Sequence, residues 1–260
     1  METIRVERSG QLLIATIDRP DSPMNAVNEQ LHEDFGQLFR ELKQRGDARA
    51  IVLTGGDKRA FSAGGDFDWF PQLRQLDRLD PLRRVAKQMI WDLLDIEIPI
   101  VAALNGAAAG LGASVALLCD LIVMSERAVI IDPHVSVGLV AGDGGAAVWP
   151  LLLGPLAAKR HLFLGDPLTA ADAFRLGVAA EVCPAESVQE RAIAWAERLA
   201  AQPPLALRGT KIAVNAQMKR ALLDSFDLST ALEMPCFLSR DHAEAMDAIQ
   251  ERRTPVYEGR

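Results

Sequence analysis

Cysteine is scarce in this chain of 260 residues, with only Cys119, Cys183 and Cys236 present. They are far apart, form no CxxC pair and are odd in number, so neither a disulfide framework nor a thiolate metal knuckle is expected, and the natural compartment reads as reducing and cytoplasmic. A basic stripe is also missing. The net charge is −7 and the pI is near 5.2, which argues against nucleic acid as a partner. The opening METIRVERSG alternates charges and has no apolar h-region, so no signal peptide is visible. No GxGxxG or GxxxxGK[ST] occurs, which removes the common phosphate fingerprints, and no repeat of fixed period or low-complexity tract is seen. The four histidines, His32, His134, His161 and His242, show no ligand spacing, so no metal is expected. His32, His161 and His242 read as helix-surface residues.

What is present is an ordinary globular balance of 49% apolar and 24% charged residues, enough for one large domain or a core with a small appendage. Residues 98–119 carry no charge, long enough to suggest a membrane span. Pro99, Asn105-Gly106, Gly110 and Gly112 break that run, which reads better as a buried strand over 99–104, a tight loop and a buried helix. Leu12–Ile17 reads as a strand, and 28–44 as a helix with Leu31, Phe35, Leu38, Phe39 and Leu42 on one face. Residues 50–53 and 121–124 read as buried strands and 80–95 as a helix. Alternating strands and helices give an α/β core with parallel pairs. Beyond Pro167, the segments 168–176, 187–201, 205–218 and 243–252 all read as helices.

Two small-residue loops follow strands: Arg59-Ala60-Phe61-Ser62-Ala63-Gly64-Gly65-Asp66-Phe67, and Asn105 through Ser114 with Gly106, Gly110 and Gly112. Carboxyl ends of parallel strands are where α/β folds bind ligands. Small residues let backbone N–H groups approach a ligand, and a helix N-terminus adds positive potential. Two such N–H groups on one oxygen would stabilise an oxyanion, about 3 kcal/mol per donor; either loop alone also fits a tight turn. A third segment, Asp132 to Gly145, places His134 in a short extended stretch and Asp143 at the start of a helix over 146–153. Asp143 can cap that helix or orient the His134 imidazole.

Together these segments resemble the crotonase (enoyl-CoA hydratase/isomerase) superfamily over almost the whole chain. Asp18-Arg19-Pro20 with Asn25-Ala26, Phe61-Ser62-Ala63-Gly64-Gly65-Asp66, Asn105-Gly106 through Cys119-Asp120, Thr169-Ala170 through Gly177-Val178-Ala179, and Arg252-Arg253-Thr254-Pro255-Val256-Tyr257 carry the resemblance in order. It implies an α/β spiral of ββα units over 1–200 and a helical C-terminal region over 201–260 that builds a trimer or a dimer of trimers. It implies an oxyanion hole from the N–H groups of Gly65 and Leu111, and an acyl-CoA substrate with no separate cofactor. Met24, Ala26, Ala63, Asp66 and Phe67 would line the CoA arm. Lys58 and Arg59 could meet its phosphates, and Phe67, Trp69 and Phe70 could wall the acyl pocket.

The chain departs from the hydratase pattern at both catalytic glutamates, which fall at Ser114 and His134. Leu111 replaces a glycine. His134 and Asp143 instead resemble the His…Gly-Asp-Gly pattern of 6-oxocamphor hydrolase, a member that cleaves a carbon–carbon bond in a β-diketone, and His32 in Leu31-His32-Glu33 could also match a histidine of that member. Three readings follow: an acyl-CoA lyase or isomerase with His134 as acid/base and Asp143 as its orienter, a carbon–carbon hydrolase using the same pair, or a non-catalytic acyl-CoA-binding subunit.

Overall fold

The computed structural model describes residues 1–260. Ten strands are β1 (Ile4–Ser9), β2 (Leu12–Ile17), β3 (Ala50–Thr54), β4 (Ala60–Ser62), β5 (Ile100–Leu104), β6 (Ala107–Ala109), β7 (Leu121–Ser125), β8 (Val129–Ile131), β9 (Leu168–Thr169) and β10 (Glu181–Cys183). The helices are α1 (Glu29–Gln44), α2 (Phe70–Leu73), α3 (Leu76–Asp95), α4 (Leu111–Leu117), α5 (Gly145–Leu153), α6 (Pro155–Leu164), α7 (Ala170–Arg175), α8 (Val188–Ala200), α9 (Pro204–Cys236) and α10 (Arg240–Glu251).

One sheet has the order β1-β2-β3-β5-β7-β10, parallel except for the β1/β2 hairpin; the other has the order β4-β6-β8-β9. Each turn of the chain sends one strand to each sheet: β3 then β4, β5 then β6, β7 then β8. The resulting ββα spiral has no fixed sequence period because the intervening segments differ in length, which is why no repeat shows in the sequence. β3 and β5 are buried along their whole length. Ile51, Leu53, Ala102 and Leu104 face the main core, while Ala50, Val52, Val101 and Ala103 face Val188, Ala192 and Ala196 of α8. Strands covered on both sides read as continuous apolar runs, as these do.

α1 forms as its pattern predicts, with Asn28 Oδ1 accepting from Leu31 N–H at 3.0 Å and all five predicted apolar positions in the core. Residues 98–119 resolve into β5, β6 and α4, and no helix is long and apolar enough to cross a membrane.

Several expectations are corrected. His134 sits in a turn with helical dihedrals, entering a short 3₁₀ turn over Val135–Val137, and is not in an extended segment. Residues 168–176 split into β9 and α7, and β10 adds a strand where none was foreseen. The helix expected over 205–218 runs to Cys236, because the face that α9 turns inward is largely polar. Lys211 Nζ donates to Ile98 O at 2.9 Å and to Asp120 Oδ2 at 2.7 Å, and Asn215 Nδ2 donates to Leu94 O at 3.1 Å. Ser229, Thr230 and Glu233 are buried on the same helix, while Leu223, Leu228 and Leu232 are exposed. That inverts ordinary amphipathic patterning, so periodicity does not find it.

Candidate active site

Asn25 organises the first loop. It is fully buried at φ +49° and forms a hub: Oδ1 accepts from Arg19 N–H at 3.1 Å and Nδ2 donates to Ile17 O at 2.9 Å. Asparagine tolerates this left-handed conformation better than most residues. The segment around Asn25 then runs beside the glycine loop. Ala63 N–H reaches Met24 O at 3.0 Å, Val27 N–H reaches Gly64 O at 2.7 Å, and Asp66 N–H reaches Val27 O at 2.9 Å. This ladder uses the amides of Ala63 and Asp66 and leaves that of Gly65 without an acceptor in the protein.

The second loop repeats the device. Leu111 opens α4, so its N–H has no intrahelical acceptor, and no loop carbonyl takes it. In both loops the residue before the free amide is a glycine at positive φ, +79° at Gly64 and +50° at Gly110. That conformation suits glycine and turns the following N–H away from the run of the chain. The two turns touch: a Cβ on Gly64 would lie 2.9 Å from Ala109 O, and one on Gly110 would lie 3.4 Å from His134 Cε1. Gly65 and Leu111 line one cavity of about 80 Å³, together with His134, Asp143, Glu233, His32, Trp69 and apolar side chains.

The chemistry clusters on His134. Its Nδ1 meets Asp132 Oδ1 at 2.6 Å, while Nε2 lies 3.5 Å from Asp143 Oδ2 and 3.9 Å from Glu233 Oε1. Asp132, and not Asp143, therefore holds the imidazole; Asp143 stands at the opposite ring nitrogen, on the cavity side. Asp143 Oδ1 accepts from Ser114 Oγ at 2.9 Å and Gly145 N–H at 3.4 Å, and its buried Oδ2 accepts no hydrogen bond. Glu233 reaches the cluster from α9. Gly142 makes room for it, since a Cβ there would lie 2.2 Å from Glu233 Oε2.

Burial alone would depress the His134 pKa, but Asp132, Asp143 and Glu233 outweigh it and raise it well above the usual histidine value. Burial pushes Glu233 up to about 8, with His134 opposing and the other carboxylates adding to the rise. Burial also raises Asp143, against the pull of His134. Asp143 receives two hydrogen bonds that favour its anion and Glu233 receives none. Of the two cavity carboxyls, Glu233 is therefore the one whose neutral form burial favours more, and Asp143 the one whose anion the protein supports. The ligand-capable atoms of Asp132, His134 and Asp143 lie within 4.8 Å of one another, close enough to share a cation. His134 Nδ1 is already engaged by Asp132, which leaves only one ring nitrogen for such a role.

The remaining sequence-predicted residues divide. Trp69 and Phe70 line the cavity, whereas Phe67 is 41% exposed and outside it. Met24, Ala26 and Ala63 are half-buried along the loop but do not line the cavity. Asp66 pairs with Arg19 in an outer cleft shared with Asp21, Glu29, Glu33 and Asp68. Ser114 is buried behind Asp143, so it supports that carboxylate and does not face a ligand. Lys58 is engaged by Arg19 O at 2.7 Å and Asp18 at 3.2 Å. His32 and His242 are buried, not helix-surface: His32 packs on Trp69 at 5.6 Å, and His242 Nδ1 meets Val137 O at 2.7 Å. His161 is half-buried and stacks on Trp149 at 5.1 Å. Glu233 and Asp132 were not singled out from the sequence. Asp132 lies two residues before His134, a signal that was available. Glu233 lies 90 residues beyond Asp143 on a helix with an unusual pattern, so nothing local marks it.

Comparison with known proteins agrees with this architecture. The sequence profile of the enoyl-CoA hydratase/isomerase family matches residues 7–260. A probable enoyl-CoA hydratase of Rhodobacter capsulatus is 33% identical over 260 residues, covering 99% of this chain and 98% of the relative. The crystal structure of an enoyl-CoA hydratase/isomerase from Mycobacterium paratuberculosis superposes with TM-score 0.90 at 38% identity, covering 95% of this chain and 98% of that one. A β-diketone hydrolase from Anabaena sp. PCC 7120, bound to (S)-3-oxocyclohexyl acetic acid, superposes with TM-score 0.85 at 33% identity, covering 91% and 94%. With its parallel α/β core and a match that spans nearly every residue, this chain belongs to the enoyl-CoA hydratase/isomerase family.

Proposed function

We propose that this enzyme adds water to, or shifts a proton within, an acyl-CoA thioester, with the negative charge held by the N–H groups of Gly65 and Leu111. The observation that carries this reading is the buried Asp143 Oδ2, which accepts no hydrogen bond and stands 3.5 Å from His134 Nε2, in the same cavity as the two free amides. The carboxylates of the usual hydratase positions are absent, and the fold supplies others. Asp143 stands against Ser114 through a hydrogen bond, and Glu233 enters from α9.

In hydration, Asp143 accepts a proton from water as the water oxygen joins the β-carbon. The thioester carbonyl oxygen gathers charge and accepts hydrogen bonds from both amides, and the protonated Glu233 delivers its proton to the α-carbon. His134, fixed by Asp132, keeps Asp143 ionised and returns the proton between the carboxylates. Coenzyme A enters as part of the substrate. The outward apolar side chains of α9, among them Leu223, Leu228 and Leu232, support a homotrimer or a dimer of trimers. Purified protein is tested against enoyl-CoA substrates by loss of the conjugated thioester absorbance. Turnover abolished by Asp143→Asn supports the reading and removes the non-catalytic alternative, whereas no turnover of any chain length overturns it.

A second reading rests on the likeness to the β-diketone hydrolase at 33% identity. Here Asp143 and His134 would activate water against one ketone, and the carbon–carbon bond would break to an enolate held by the same amides. Acid release from cyclic β-diketones, without enoyl-CoA hydration, would favour it.

A further inference from the structure

His242 touches both halves of the site from behind. It lies in the first turn of α10, fully buried, with its backbone N–H on the capping Ser239 Oγ at 3.0 Å. Its Nδ1 lies 2.7 Å from Val137 O, in the 3₁₀ turn that His134 opens. A carbonyl only accepts, so Nδ1 carries the hydrogen and Nε2 is left as an acceptor. That Nε2 is buried and has no hydrogen-bond partner. Burial, helped by Arg74, lowers the His242 pKa against the pull of the Val137 hydrogen bond, so the ring is neutral at physiological pH. Phe70 and Phe237 stand T-shaped to it, each with centroids 5.5 Å away, in an apolar cluster with Val137, Leu139 and Met246. A leucine or phenylalanine would fill such a place without an orphaned nitrogen, so packing alone does not call for histidine. What histidine adds is the hydrogen bond to Val137 O.

Both contacts of the ring lead back to the site. Val137 N–H donates to His134 O at 3.0 Å and Leu139 N–H to the same oxygen at 2.8 Å, so the turn that His242 holds is the one that fixes the His134 backbone. Gly138, at φ +72°, closes that turn against α10, and a Cβ there would lie 2.9 Å from His242 Cα. On the other side, Phe70 packs on Gly65 so closely that a Cβ on Gly65 would overlap its ring. We propose that His242 is a positioning residue: its Nδ1–H fixes the turn that carries His134 and its ring backs Phe70 against Gly65, so one side chain sets the His134 cluster and the Gly65 amide relative to each other. A misplacement of about 1 Å between reacting groups can cost about 100-fold in rate. The inference rests on the site proposed above and applies to either reaction proposed for it.

The test compares His242→Leu, His242→Asn and His242→Gln with the wild type. Asparagine carries an N–H where Nδ1 stands, glutamine carries one nearer the place of Nε2, and leucine keeps bulk alone. kcat and KM are measured with enoyl-CoA thioesters of graded chain length and with cyclic β-diketones, and the His134 imidazole is titrated by NMR. His242→Leu and His242→Gln are expected to lose about tenfold or more in kcat with KM within about twofold, since the reacting groups shift while the binding surface stays. In both, the His134 pKa should fall toward the ordinary histidine value as the ring drifts from Asp132, Asp143 and Glu233. His242→Asn should recover most of the rate and the raised pKa. Should the leucine variant not fold, asparagine against glutamine gives the same comparison. Leucine and glutamine variants that are less stable in urea yet keep the wild-type kcat and His134 pKa overturn the inference, because the ring would then be packing only. An asparagine variant no better than the other two overturns it also. A wild type that turns over neither substrate class fails the proposed function, and the His134 titration then decides the inference by itself.

Discussion

Glu233→Gln isolates the proton that the cluster holds. The amide is close in size to the carboxyl, and the space that Gly142 leaves open accommodates either. Burial raises the Glu233 carboxyl from 4.5 to about 8, so the folded protein keeps a proton there that the unfolded chain releases. Between those values the native state binds more protons than the unfolded state, and stability must fall as pH rises. One pKa unit corresponds to about 1.4 kcal/mol. Relaxation and water entry around an ionised Glu233 reduce the full span to about 2–3 kcal/mol. Glutamine has no such proton to lose. Urea denaturation at pH 5 and pH 9 should therefore show Glu233→Gln gaining about 2–3 kcal/mol on the wild type across the interval. As the proposed acid, the same group is expected to give the wild-type kcat/KM profile an alkaline limb near pH 8. In Glu233→Gln that limb should vanish and the rate should fall about 100-fold or more. A limb that persists in Glu233→Gln, with a stability difference that does not change with pH, would refute the protonated-acid assignment.

Three further perturbations separate the parts of the site. Asp132→Asn removes the charge that holds Nδ1 of His134, so an NMR titration should place the imidazole pKa lower than in the wild type, with kcat/KM down about 100-fold or more. Ser114→Ala takes one hydrogen bond from Asp143; a loss of about tenfold in kcat/KM with an acid limb displaced upward is expected, since the anion is less favoured. Gly65→Ala places a Cβ 2.4 Å from Phe70 Cζ, and overpacking of this kind costs about 1–3 kcal/mol by chemical denaturation. Adding Phe70→Leu should recover part of that stability, while the rate follows only if the Gly65 amide returns to its direction.

Much of the architecture was legible because the responsible patterns are local. α1 shows its apolar face at helical spacing and its asparagine cap directly before it, and β3 and β5 are uninterrupted apolar runs between turn residues. The two tight loops were also legible, since glycine at positive φ leaves a visible trace at Gly64 and Gly110. α9 was not, because half its buried face consists of lysine, asparagine, threonine and glutamate, whose partners lie more than 80 residues away. The same feature hid Glu233.

The groups proposed as acid and base show the deeper reason that linear matching falls short. Aligning by position puts serine and histidine where a hydratase has two glutamates, which suggests that carboxylate chemistry is gone. In three dimensions the Ser114 hydroxyl is the footing of Asp143, and His134 is the point on which Asp143 and Glu233 converge. Asp143 reaches the cavity from the segment before α5, and Glu233 reaches it from α9. A cavity constrains where charge must sit relative to the two amides, but not which element delivers it. The residues to compare across such sites are therefore those whose oxygen atoms reach the same volume, and the sequence position that carries them is secondary.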